Sequence, residues 1–99
     1  MEIDIVYVAD CPNLDRIRSR LRQALDTTGV EASVREIEVA TPEAAHQAGM
    51  RGSPTILIDG RDPFADQADT ASLSCRLYAG DGRIDGAPSV PQLVEVLTG

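Results

Sequence analysis

The stretch Val8-Ala9-Asp10-Cys11-Pro12-Asn13-Leu14, residues 8–14, decides the reading of this chain, because a strand ends and a helix begins inside it. Upstream, Ile3, Ile5 and Tyr7 alternate with Glu2, Asp4 and Val6, and Val8 closes a first strand. Downstream, Asn13 to about Thr28 spells an amphipathic helix: Leu14, Ile17, Leu21, Ala24 and Leu25 share one face, while Asp15, Arg16, Arg18, Arg20, Arg22 and Asp26 lie mainly on the others. Gly29 is a natural stop. This puts Cys11 at or next to the helix N-cap, where the first backbone N–H groups lack helical partners and point toward the sulfur. Together with the helix dipole they favour a thiolate. Pro12 fits the first helical position. Asp10 opposes a second negative charge beside it, so the expectation is a moderately activated thiol.

Farther along, Ala32 to Val39 reads as a second strand whose phase shifts midway, which leaves its register open. Thr41-Pro42-Glu43 starts a short helix to about Ala48, with Gly49 after it. Thr55 to Asp59 is a third strand, closed by the turn pair Asp59-Gly60. Arg61 to Ser72 is irregular, Leu73 to Ala79 reads as a fourth strand, and Gly80-Asp81-Gly82 turns the chain. Ser89 and Pro91 open a last helix through Leu93, Val94 and Leu97. The expected order is β-α-β-α-β-β-α in a single α/β domain over residues 1–99: a parallel crossover first, then a hairpin-like antiparallel pair, forming a four-stranded mixed sheet flanked by helices.

Composition narrows the function. Ninety-nine residues with 3% aromatics must build their core from Ile, Leu, Val and Ala. A net charge of −7 argues against nucleic acid and anionic membranes as partners. The chain starts directly on Glu2-Ile3-Asp4-Ile5 without a signal-peptide pattern, and no apolar run approaches a membrane span. A cytoplasmic, reducing location is expected, where two cysteines are reactive or metal-binding rather than a structural staple.

With Cys11-Pro12-Asn13-Leu14 at a helix start and Gly52-Ser53-Pro54-Thr55 before the apolar run Ile56-Leu57-Ile58, the chain resembles the thioredoxin/glutaredoxin superfamily over nearly its whole length. The first stretch stands where that superfamily has its Cys-x-x-Cys pair, and the second where it has its cis-proline loop. The resemblance implies a glutaredoxin-type thioredoxin-like fold and a cis Pro54. It implies a nucleophilic Cys11, and a partner site shaped by Pro12, Ser53, Pro54 and Thr55, with Ser53 offering its backbone to a thiol or disulfide ligand. No resident cofactor is implied; glutathione or another low-molecular-weight thiol is a possible co-substrate. One departure matters most: Leu14 replaces the second cysteine, so no local dithiol forms and any exchange must use one sulfur or a distant one.

Cys11 also fits a plainer role as a partly buried small residue at a strand end. For Cys75, alternation puts Leu73, Cys75 and Leu77 on one face, which makes it either a small core hydrophobe or a resolving or co-ligand thiol. Arg16, Arg51 and Arg76 are candidates to neutralise a thiolate or hold a carboxylate. Asp10 and Asp15 are candidate proton donors or acceptors, with solvated carboxylates as the alternative. His46 reads as a solvated residue. Gly86-Ala87-Pro88-Ser89 opens the last helix where glutaredoxin-like proteins bind the γ-glutamyl end of glutathione, although Ser89 serves equally as a plain N-cap.

Three functions follow as expectations. The first is monothiol exchange through Cys11 with a protein or small-molecule thiol or disulfide, by a monomer or weak dimer that Cys11-to-Cys11 linkage would stabilise on oxidation. The second is soft-metal handling. Asp59-Gly60-Arg61-Asp62-Pro63-Phe64 and Leu73-Ser74-Cys75-Arg76-Leu77-Tyr78 look like stretches of small bacterial thioredoxin-like proteins labelled as alkylmercury lyase relatives, and two thiolates suit mercury or copper. The third is a non-enzymatic adaptor that uses the proline surface.

Overall fold

The structure is a computed structural model that describes residues 1–65, 72–80 and 83–99. Strand β1 (Glu2–Tyr7) runs into helix α1 (Leu14–Thr28), then come β2 (Ser33–Glu38), helix α2 (Pro42–Ala48), β3 (Arg51–Ser53) and β4 (Thr55–Ile58). They are followed by β5 (Ser72–Cys75), β6 (Tyr78–Gly80), β7 (Arg83–Asp85) and helix α3 (Val90–Thr98).

The central sheet is mixed and has three strands in the order β2-β1-β4. The opening β-α-β unit is parallel, with Glu2 opposite Ser33 and Tyr7 opposite Glu38, which fixes the register the sequence left open. β4 returns antiparallel along the other edge of β1, pairing Ile5 with Ile56 and Val6 with Thr55.

β1 is central, so both of its faces are buried. Ile3 and Ile5 face Ile17, Leu21 and Ala24 of α1 and Leu93 and Leu97 of α3. On the opposite face Val6 joins Leu57, Val39, Met50 and Ala45 of α2. The alternation of β1 thus separates two apolar layers rather than a core from solvent. Each fully buried Ile or Leu contributes about 1.5–3 kcal/mol.

Local chemistry sets the helix ends. The Thr41 hydroxyl accepts the Ala44 N–H at 3.1 Å, and Gly49 ends α2 in the left-handed region. Ser89 and Gln92 form a reciprocal capping box at α3, with Pro91 in its first turn. Asp59 and Gly60 both have positive φ, as a tight primed turn requires, and Ile58 and Arg61 bridge across it.

Two expectations need correction. The fourth strand does not exist as one element and does not join the central sheet. Leu73 to Ala79 breaks at Arg76-Leu77, because Arg76 turns inward to a buried carboxylate. Its first half, β5, runs parallel to β3, and its second half, β6, pairs antiparallel with β7. Helix α1 also starts later than Cys11-Pro12 implied: Asn13 is its N-cap and makes no side-chain capping bond. Of the expected turn Gly80-Asp81-Gly82, residues 81–82 lie outside the described residues, as do residues 66–71 of the long irregular stretch.

A candidate thiol site beside a buried proline bend

Cys11 is a free, half-buried thiol in the turn from β1 to α1. Its N–H donates to the Val8 carbonyl at 3.2 Å, and its own carbonyl accepts the Leu14 N–H at 3.4 Å. Asp10 adopts φ 60°, a conformation that Asp tolerates, and this bends the chain ahead of the cysteine. Cys11 therefore sits two positions before the Asn13 N-cap rather than at or next to it, and Pro12 is exposed in the connecting turn rather than the first helical residue.

The bend at residues 52–55 lies beside this turn, tied to it by the Val8 N–H, which donates to Ser53 Oγ at 3.1 Å. The Ser53–Pro54 peptide is cis. Ser53, Pro54 and Thr55 are fully buried. Three main-chain oxygens of the bend have internal donors: Gly52 accepts the Thr55 hydroxyl at 2.6 Å, Ser53 accepts the Arg76 N–H at 3.0 Å, and Pro54 accepts the Tyr78 hydroxyl. Gly52 stands at φ 110° with Arg76 against it; a Cβ there would lie 2.7 Å from the Arg76 Cβ. Of the residues expected to shape a partner site, Pro12 is exposed, whereas Ser53, Pro54 and Thr55 form an enclosed, internally bonded wall.

That wall rests on a cluster the sequence reading missed. Arg76 and Asp62 form a two-pronged ion pair at 2.5 and 3.2 Å, with side chains only 7% and 3% exposed. The Arg76 guanidinium lies 4.6 Å from the centre of the Tyr78 ring, and Phe64 meets the same ring edge-on at 5.5 Å. Burial pushes the Tyr78 phenol well above its ordinary range; Arg76 opposes this, while the charges of Asp62 and Cys11 add to it. Tyr78 is therefore a neutral donor at physiological pH, and it lies within electrostatic reach of Cys11.

The start of α1 is held from its other side. Asn13 packs against Gly86, where an added Cβ would lie 2.2 Å from the Asn13 amide nitrogen. Arg16 and Arg20 both reach Asp85 at 3.0 Å, and Arg20 also donates to the Ala87 carbonyl at 3.0 Å. The Arg20 guanidinium, followed by the Gly86 N–H, holds the Asp85 carboxyl below the usual carboxylate range. Gly86 to Ser89 thus lies beside the α1 start, with Ser89 as the α3 cap.

The other candidates separate cleanly. Cys75 is exposed and Leu77 is 70% exposed, so they are not the buried face of a strand; Arg76 and Tyr78 are buried in their place. Apolar count favoured the wrong phase because a buried arginine is acceptable only with its carboxylate, and Asp62 comes from a distant loop. Arg16 and Arg76 are committed to Asp85 and Asp62. Asp15 is an exposed partner of Arg18 at 2.9 Å, and Asp10 and His46 are exposed. Among the described residues no three His, Cys, Asp or Glu side chains gather into a metal-binding group, and no helix is long and apolar enough to cross a membrane.

No protein-family model matches the chain, and no curated protein matches it.

Proposed function

We propose that this chain is a single-sulfur thiol-exchange protein of glutaredoxin-like, thioredoxin-fold type, working in a reducing compartment such as the cytoplasm. One observation carries the reading: a half-buried free thiol sits in a strand-to-helix turn that is pinned, through Val8 and Ser53, to a bend built wholly from buried, internally bonded groups. A nucleophile needs a partly open sulfur on a rigid support, and this turn provides both.

In the proposed reaction the Cys11 thiolate attacks one sulfur of a disulfide. The old S–S bond breaks, a Cys11 mixed disulfide forms, and the other half leaves as a thiolate that takes a proton. With Leu14 in place of a neighbouring cysteine, a second thiol molecule attacks the mixed disulfide and restores Cys11. Cys11 is the catalytic residue, Pro12 is the exposed rim beside it, and Ser53, Pro54, Thr55 and Tyr78 are positioning residues.

The test is intact-mass and stopped-flow measurement of reduced protein with a small disulfide. An adduct located on Cys11 by peptide mapping, which excess thiol removes, is expected in wild type and in Cys75→Ser and is absent in Cys11→Ser, whatever Cys75 itself takes up. If Cys75→Ser, whose remaining sulfur is Cys11, forms no adduct and exchanges no faster than the Cys11→Ser, Cys75→Ser double variant, the reading fails.

A further inference from the structure

A second thiol lies in a different setting, and the reading of Cys11 does not involve it. An open cleft of about 490 Å³ is lined by Arg51, Phe64, Cys75, Arg76, Leu77, Tyr78 and Ala79. Cys75 lies across the β3–β5 ladder from Ser53, Arg51 pairs with Ser72 on the other side of a register shift in that ladder, and Arg51 and Cys75 both line the cleft. Phe64, Tyr78 and the exposed Leu77 provide aromatic and apolar surface.

The arginines divide by partner. Arg16, Arg18, Arg20, Arg35 and Arg76 each hold a carboxylate. Arg51, like Arg22 and Arg61, makes no ion pair among the described residues, although acidic residues outnumber basic ones 16 to 9, and of these three it is Arg51 that lines the cleft. A guanidinium without a carboxylate partner among the described residues, lining one cleft with a thiol and two aromatic rings, matches a ligand with three properties: a carboxylate, an apolar body and a sulfur that a thiol can attack.

We propose that this cleft binds small carboxylate-bearing disulfides and that Cys75 captures them covalently. Arg51 holds the carboxylate while the Cys75 sulfur, its proton given up to solvent, attacks the nearer sulfur of the ligand. The ligand S–S bond breaks and a Cys75–sulfur bond forms. The departing half leaves as a thiolate and is protonated, so Cys75 is oxidised and that half is reduced. No other oxidant is required. The site marks Cys75 for reversible thiolation, separately from Cys11.

The experiment uses full-length Cys11→Ser protein, so that failure of the Cys11 reading leaves it intact. Two aromatic disulfides are compared by stopped-flow absorbance: an anionic one with a carboxylate on each ring, and uncharged dithiodipyridine. Each rate is divided by that of a small uncharged thiol with the same reagent. Because the net charge of −7 repels anions overall, a preference for the carboxylate probe must come from a local cation. That preference is expected to be about tenfold at low salt, to fade at high salt, and to vanish in Arg51→Gln with the uncharged probe unaffected. No preference at low salt, a preference that persists at high salt, or equal slowing of both probes in Arg51→Gln overturns the proposal.

Discussion

Removing the Asp62 carboxylate should be the most damaging single polar change in the molecule. In Asp62→Ala the Arg76 guanidinium stays enclosed, 7% exposed, with its two charge-assisted bonds gone and the Tyr78 ring still against it. Breaking a buried pair from one side costs about 3–5 kcal/mol, because the remaining charge keeps its desolvation penalty. A domain of this length has about 5–15 kcal/mol in total. With a urea slope of about 2 kcal/mol/M, a loss of about 4 kcal/mol moves the unfolding midpoint down by about 2 M. The assay is urea unfolding followed by circular dichroism. The double change Asp62→Leu with Arg76→Met replaces the pair with apolar groups of similar size and should recover most of that loss, since both desolvation penalties disappear together. A shift below about 0.5 M in Asp62→Ala, or a double variant as unstable as the single, would refute the claim that the pair acts as a buried unit.

Two further outcomes are expected. Gly52→Ala meets both the φ of 110° and the Arg76 Cβ at 2.7 Å, so it should lose about 2–4 kcal/mol by the same urea assay, whereas an alanine at Gly29, with nothing within 4 Å, should lose less. Stability should also fall on the acid side. Asp85 and Glu36 are held below the ordinary carboxylate range by Arg20 and Arg18, so their contribution is present above the unfolded-state value of about 4 and is lost as pH falls through the lower folded values. Melting temperature against pH should decline below about pH 4, and the decline should flatten in Asp85→Asn or in high salt.

Much of the frame was legible because it rests on short-range rules. The apolar stripe of α1, the Thr41 and Ser89 caps, Gly49 and the Asp59-Gly60 turn are all decided by neighbours in sequence, and each stands where periodicity and capping chemistry put it. The second half of the chain was less legible because distant pairings decide it. Nothing local to Leu73–Ala79 announces that Arg76 will meet Asp62; with that pair enclosed, Arg76 and Tyr78 are the buried residues, and the run is divided between β5 on β3 and β6 on β7. The same limit applies at the site. The placement of Cys11 near a helix start could be read from the sequence; that Ser53, Pro54 and Thr55 are enclosed could not, since their donors come from Val8, Arg76 and Tyr78. A charged residue inside an otherwise apolar run was the available signal, and an arginine there asks for a carboxylate.

From Gly52 to Pro54 the main-chain carbonyls are already spoken for. A foreign segment seeking to zip onto Arg51–Ser53 would first have to evict Ser72–Cys75 and strip the Arg76 amide from Ser53. A visitor to this strand would then be read by contour and side-chain chemistry, because the protein's own Ser72–Cys75 already occupies the edge on which β3 makes its ladder.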